Sequence, residues 1–278
     1  MKKVMSFSLG RRFPAVSITG ARCELACPHC AGRPLASMLD ADSPEKLLAI
    51  AARLEQAGAI GFLLSGGCDL DGKLPIRPYL RAIREIKDRG RLRINAHVGY
   101  PRSQDAADLV SSGIDVFSLN FPINDALGLR TTMVRNAVDR YFETYESLLD
   151  AGAQKVVPHV LIGLADVREE IDGLRTLCVR PPRAIVVIAF TPLLGTPMYM
   201  AQPPDEGHIA EFIRNCKTYL PHTRLILGCM RKRGNHEMEL ALVKNWIDGI
   251  VMPSPRVMQA ARESVEIEEY EGCCALYL

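Results

Sequence analysis

The chain carries almost no charge imbalance, since 34 basic against 32 acidic residues leave a formal charge of +2 over 278 positions. That offers no concentrated field for a nucleic-acid or membrane partner. The first residues, Met1 to Phe7, lack the apolar run and small-residue cleavage site of a secretory signal. No stretch of about 18 apolar residues occurs, so no transmembrane helix is expected and a cytoplasmic protein is the default. The nine cysteines are odd in number, and three crowd into eight residues. Reduced thiols serving a cofactor fit this better than a disulfide framework.

Short branched-apolar runs recur at 16–20, 60–66, 92–98, 116–121, 155–162, 184–190, 224–229 and 249–254. Each is followed by a helix-like stretch, at about 43–56, 77–89, 103–112, 133–151, 166–179, 205–219, 234–246 and 255–265. Ser43-Pro44-Glu45 shows how such a helix starts: a capping hydroxyl, a proline at the first helical position and an acid in the first turn. Eight strand–helix units predict an α/β fold, a (β/α)8 TIM-type barrel over residues 1–265, with a doubly wound open sheet as the alternative. Residues 266–278 read as a cysteine-bearing tail packed on or near the barrel.

The loops after the strands form the reactive face of such a barrel, and the first of them is Cys23-Glu24-Leu25-Ala26-Cys27-Pro28-His29-Cys30. Thiolates of Cys23, Cys27 and Cys30 can bind three irons of a [4Fe–4S] cluster and leave the fourth open. The competing reading is a structural zinc with His29 as fourth ligand, but His29 adjoins Cys30 and no matching CxxC lies nearby.

With its CxxxCxxC motif directly after the first strand, the chain resembles the radical S-adenosylmethionine (SAM) superfamily. The resemblance implies that the open iron binds SAM, and that an electron from the cluster cleaves SAM to a 5′-deoxyadenosyl radical that takes hydrogen from substrate. It also implies a reductant such as ferredoxin or flavodoxin. Ser65-Gly66-Gly67 matches the family's turn for the methionine portion, although Cys68 stands where the family usually has an acid and Asp69 follows one step later. Gly163, ending the fifth run, resembles the segment packing on adenine. Thr191 and the Gly195-Thr196-Pro197 turn resemble a loop lining the adenosine site. Asn95, His97, Ser118 and Asn120 alternate with apolar neighbours, so they either tie strands together inside the barrel or contact cofactor and substrate. His97 and Asn120 are the better ligand candidates, and His159 faces either the cavity or a buried partner.

Cys178 and Cys216 fall in helical stretches and read as structural. Cys68 and Cys229 follow strands, and Cys273-Cys274 reaches the same rim if the tail folds back. These four are the expected ligands of a possible second iron–sulfur cluster, with Cys68, Cys229 and Arg231 as expected catalytic residues and unused thiols on a flexible tail as the alternative. Almost the whole length resembles the biotin, thiamine and lipoyl synthase branch. The SITG strand, SGG turn, Val157-Pro158-His159, Gly195 to Met198, Gly228-Cys229-Met230-Arg231 and Cys273-Cys274 resemble, more narrowly, the two-component archaeal-type lipoyl synthase. That resemblance implies sulfur insertion into an octanoyl group on a lipoyl carrier protein, with a second radical SAM subunit as partner. A radical mutase or other small-metabolite synthase, and an iron–sulfur electron-transfer or scaffold protein, are the alternatives.

Overall fold

Eight parallel strands alternate with helices where the apolar runs predict them, and three further strands lie where none was expected. The computed structural model describes residues 1–278. Its strands are β1 Lys2–Ser8, β2 Ala15–Ser17, β3 Leu39–Asp40, β4 Gly61–Ser65, β5 Arg93–His97, β6 Val116–Phe121, β7 Val156–Ile162, β8 Ala184–Ala189, β9 Arg224–Leu227, β10 Gly249–Val251 and β11 Val265–Glu271. The helices are α1 Pro44–Gln56, α2 Leu80–Arg89, α3 Ala106–Ser111, α4 Asp125–Thr132, α5 Ala137–Asp150, α6 Val167–Leu174, α7 Glu206–Tyr219, α8 His236–Asn245 and α9 Pro255–Ala261. Ser43 caps α1 by accepting the Lys46 amide, with Pro44 in the first turn, as its sequence dictates.

The expected strands β2 and β4 to β10 neighbour one another in chain order, and every ladder is parallel. Closure between β10 and β2 does not occur, because β1 pairs with the far edge of β10, β11 pairs with β1, and β3 ends the sheet beyond β2. The barrel class therefore stands as a curled, open half-barrel of eleven strands. Along β6 the alternation is plain: Phe117, Leu119 and Phe121 join the core beneath the helices, while Val116 packs on the inner side with Phe7, Val157, Val186, Ile226 and Val251.

The tail is also more than an appendage. Residues 265–271 mix apolar side chains with four glutamates and form a charged edge strand, so the expected boundary at 266 falls inside the sheet and the last helix stops at Ala261. Gly272, at φ +108°, then turns the chain, and Cys274, Ala275 and Leu276 bury themselves in the inner core. Arg93 Nη2 and Lys155 Nζ both donate to the Leu276 carbonyl, at 2.7 and 2.6 Å. The C-terminal segment thus plugs the interior from the end where β5 and β7 begin. No helix is long and apolar enough to cross a membrane.

Candidate functional site

The three-thiol loop leaves β2 at the C-terminal edge of the sheet, where a barrel of this kind places its chemistry. Left-handed backbone at Ala26 (φ 43°), Ala31 (φ 45°) and Gly32 (φ 70°) winds it tightly, and the Cys27 carbonyl accepts both the Cys30 and Ala31 amides. The turn after β4 is pressed against it. Thr19 Oγ1 accepts the Gly67 amide at 2.7 Å and donates to the Arg22 carbonyl at 2.8 Å. The Cys68 carbonyl accepts the Glu24 and Leu25 amides. A Cβ on Gly67 would overlap the Arg22 carbonyl and Cys23 Cα, so only glycine permits this approach. The loop after β8 closes the other flank: Met198 N donates to the Pro28 carbonyl at 3.3 Å, and the Arg33 guanidinium occupies the space a side chain at Gly195 would need.

The thiols are not equivalent. Cys30 is lowered to about 4 by a hydrogen bond from the Cys27 thiol, with His29 and the Gly32 amide adding to it, while Cys27 is raised by the same contact and by burial. The thiolate is the form that binds metal. His29 Nδ1 donates to the Thr131 carbonyl at 3.0 Å. This set of soft sulfur donors in a glycine-permitted cradle fits an iron–sulfur cluster. Cys68 belongs to the same neighbourhood, pushed up to about 12 by burial and by the charges of Cys23 and Asp69. It lies on the turn after β4, outside the three-thiol loop, so Cys68→Ser is expected to leave iron content at the wild-type level when metal is counted after anaerobic reconstitution.

Below the loop, the inner faces of β5, β6 and β7 carry the polar residues expected there. Asn95 is wholly buried; Ser118 Oγ lies 2.8 Å from its Oδ1, and its Nδ2 donates to Cys273 Sγ at 3.3 Å. Asn95 and Ser118 are thus ties within the interior. His97 and His159 stand 5.2 Å apart, ring to ring, and burial lowers them to about 3 and 4. Both are neutral, and His159 donates Nδ1–H to the Val157 carbonyl at 3.2 Å, leaving Nε2 as an acceptor. Asn120 stands opposite His159 in the ladder with its side chain exposed. Ser65 is buried at the end of β4, and Thr191 Oγ1 donates to the Ala189 carbonyl.

The remaining cysteines do not assemble as expected. Cys68 lies with Cys23 and Cys30, whereas Cys229 feels the charge of Cys273, and so does Cys274 beside it in sequence. The four thiols form two groups because the tail enters the interior beside β5, away from the turn after β4. Cys229 is exposed to solvent, and its thiol is raised, by burial first and by the charge of Cys273. Cys273 is lowered to about 7 by the Cys274 thiol, with the Ala275 amide and Asn95 assisting. Arg231 is turned away from the catalytic role expected of it. Its side chain is buried, paired with Glu239 at 2.8 Å and donating to the Gly228 and Val251 carbonyls, with Nη2 alone unpartnered. Of the two cysteines read as structural, Cys216 is buried and Cys178 is exposed.

Two residues of this region escaped sequence reasoning. Glu170 accepts the amides of Gly163, Leu164 and Ala165, and His208 meets its other oxygen. An acid four residues after an expected helix start carries no signal of such a task.

Comparison with known proteins decides the family, since the sequence profile of the Radical SAM superfamily matches residues 17–178, more than half of the chain. The chain belongs to the radical SAM superfamily. Among curated relatives, the biotin synthase of Halorhodospira halophila is 23% identical over 234 residues, covering 81% of this chain and 70% of that protein. The biotin synthase of Alkalilimnicola ehrlichii is 24% identical over 198 residues, covering 70% of this chain and 59% of that protein. The fold matches HydG, a maturase of the [FeFe]-hydrogenase, with a TM-score of 0.66 at 17% identity over 90% of this chain and 57% of that one. Methylornithine synthase (PylB) matches with a TM-score of 0.64 at 15% identity over 91% of this chain and 73% of that one. This radical SAM chain thus spans only 57–59% of HydG and of the Alkalilimnicola protein. Family membership makes it a radical SAM enzyme and implies a [4Fe–4S] cluster and SAM.

Proposed function

We propose that this enzyme inserts sulfur into an unactivated alkyl carbon, with a protein-bound octanoyl group as substrate, as one component of a lipoyl synthase. Cys23, Cys27 and Cys30 hold the cluster, with the Ser65-Gly66-Gly67 turn, Asn120, Gly163, Thr191 and Gly195 around SAM. Bound together, cluster and SAM supply a 5′-deoxyadenosyl radical, which can take hydrogen from a C–H bond no side-chain base could deprotonate. The chain's own part is placement. His97 and His159 offer hydrogen bonds without charge. Ile188, half-buried on the inner face of β8, presents an aliphatic side chain suited to an alkyl substrate, and the tail closes the far end so that substrate enters from the cluster side.

The observation carrying the sulfur step is the tail thiol held inside the barrel, Cys273 bonded by Asn95 and close enough to Cys229 to affect it. These two soft donors, with Cys274 behind them, suit a second iron–sulfur cluster acting as sulfur source. An external one-electron donor, a ferredoxin or flavodoxin, and a second radical SAM subunit complete the reaction; the relatives named biotin synthase support the sulfur branch. Anaerobically reconstituted protein is expected to hold about eight irons, against about four for a single cluster, and Cys273→Ala should return it to the lower count. With SAM, reductant and an octanoylated lipoyl carrier domain, mass spectrometry should show sulfur gained on the carrier. A rearranged product without sulfur would overturn the proposal in favour of a mutase.

A further inference from the structure

The carboxylate of Glu170, at the first turns of α6, is fully buried, and its Oε1 accepts three consecutive backbone amides, from Gly163, Leu164 and Ala165, at 2.7, 2.9 and 3.2 Å. Buried amides at a turn need acceptors, and an ionised carboxylate is the strongest the side chains offer. The turn itself is severe. Gly163 sits at φ +89°, where a side chain would overlap the Pro204 ring. The other oxygen, Oε2, lies 2.7 Å from His208 Nε2 on α7, whose own amide donates to the Asp205 cap at 2.8 Å. Glu170 therefore joins the loop leaving β7 to the start of α7, which carries Pro204 and follows the Gly195 turn.

We propose that Glu170, clamped by His208, is a positioning residue that sets the shape of the adenosine-binding edge of the cavity. It acts through the backbone of 163–165 and does not touch the cofactor. The inference rests on that loop taking the adenine of SAM, the placement implied by the family resemblance. An unclamped loop must give up part of its binding energy to be ordered again when the nucleoside arrives, while the methionine end, held by the cluster loop and the turn after β4, is unaffected.

Glu170→Gln and His208→Gln, each reconstituted, would be compared with wild type by equilibrium binding of S-adenosylhomocysteine and of methionine alone. Glu170→Gln is expected to weaken the nucleoside ligand about tenfold, equivalent to about 1.4 kcal/mol, with His208→Gln smaller in the same direction, and to leave methionine binding and iron content unchanged. Equal weakening of both ligands, or unchanged nucleoside affinity in a protein that merely melts earlier, would overturn the clamp. His208→Gln leaves the carboxylate in place and gives the same contrast if Glu170→Gln does not fold. Hydrogen exchange at 163–165 separates the two layers. Faster exchange in Glu170→Gln is the expected mark of the clamp, and protection by SAM in wild type that of the adenine placement. Loss of the second alone would sink the adenine reading.

Discussion

Gly67→Ala is expected to strip the protein of its cluster while leaving the fold intact. The added Cβ would overlap the Arg22 carbonyl and Cys23 Cα and lie 2.6 Å from Cys23 Cβ. All are rigid backbone or first side-chain atoms, so the loop and the turn after β4 must part. Separation breaks the Gly67 amide's bond to Thr19 and moves Cys23, one of the three thiols proposed to hold the first cluster. A shift of about 1 Å in such a constellation is enough to cost about 100-fold in rate. Iron content should fall to a small fraction of wild type, and formation of 5′-deoxyadenosine under reducing, oxygen-free conditions should fall by at least that factor. Gly207→Ala is the control. It lies in the first turn of α7, where the nearest atom to a new Cβ is the flexible Asp205 Oδ1 at 3.3 Å. A Gly67→Ala protein with full iron occupancy would show that the two loops are not one unit.

The Arg231–Glu239 pair carries the second large expectation. Both side chains are almost wholly out of solvent, at 0% and 4% exposure. Removing one partner leaves the other charge buried and unpaired, so Arg231→Met should destabilise the protein by about 3–5 kcal/mol in urea unfolding. The abandoned carbonyls of Gly228 and Val251 add to that cost. Replacing both, as Arg231→Met with Glu239→Leu, removes the stranded charge, and most of the lost stability should return. A catalytic arginine would behave differently: turnover would fall in the single variant without a matching loss of stability, and the second substitution would restore nothing.

The two expectations meet the sequence from opposite sides. Gly67 was legible in part, because the glycine pair ending a strand was read as letting backbone amides approach a charged ligand, whereas the structure presses it against the backbone of Arg22 and Cys23. Arg231 misled, because a basic run after a strand reads the same whether a guanidinium faces a cavity or turns inward to a glutamate eight positions on. The strands β1 and β11 were missed for a related reason. Lys2–Ser8 and Val265–Glu271 each spend four of seven positions on polar or charged side chains, so neither reads as an apolar run, and β11 lies at the sheet edge. Lys3, bridging to Glu266 and Glu268 across that edge, shows the pairing only once the two termini are side by side.

By itself the sequence determined the eight strand–helix units, the parallel sheet and the thiol loop on its reactive edge, since all of these follow from local periodicity and from spacing within a few residues. Tertiary structure alone decided that β1 would leave the sheet unclosed, that Cys68 and Cys273 would end up in different places, and that Glu170 would carry three amides of a neighbouring loop. Those outcomes depend on which distant segments share a buried volume and on which acceptor each buried donor finds there. Neither is written in the order of residues along one element.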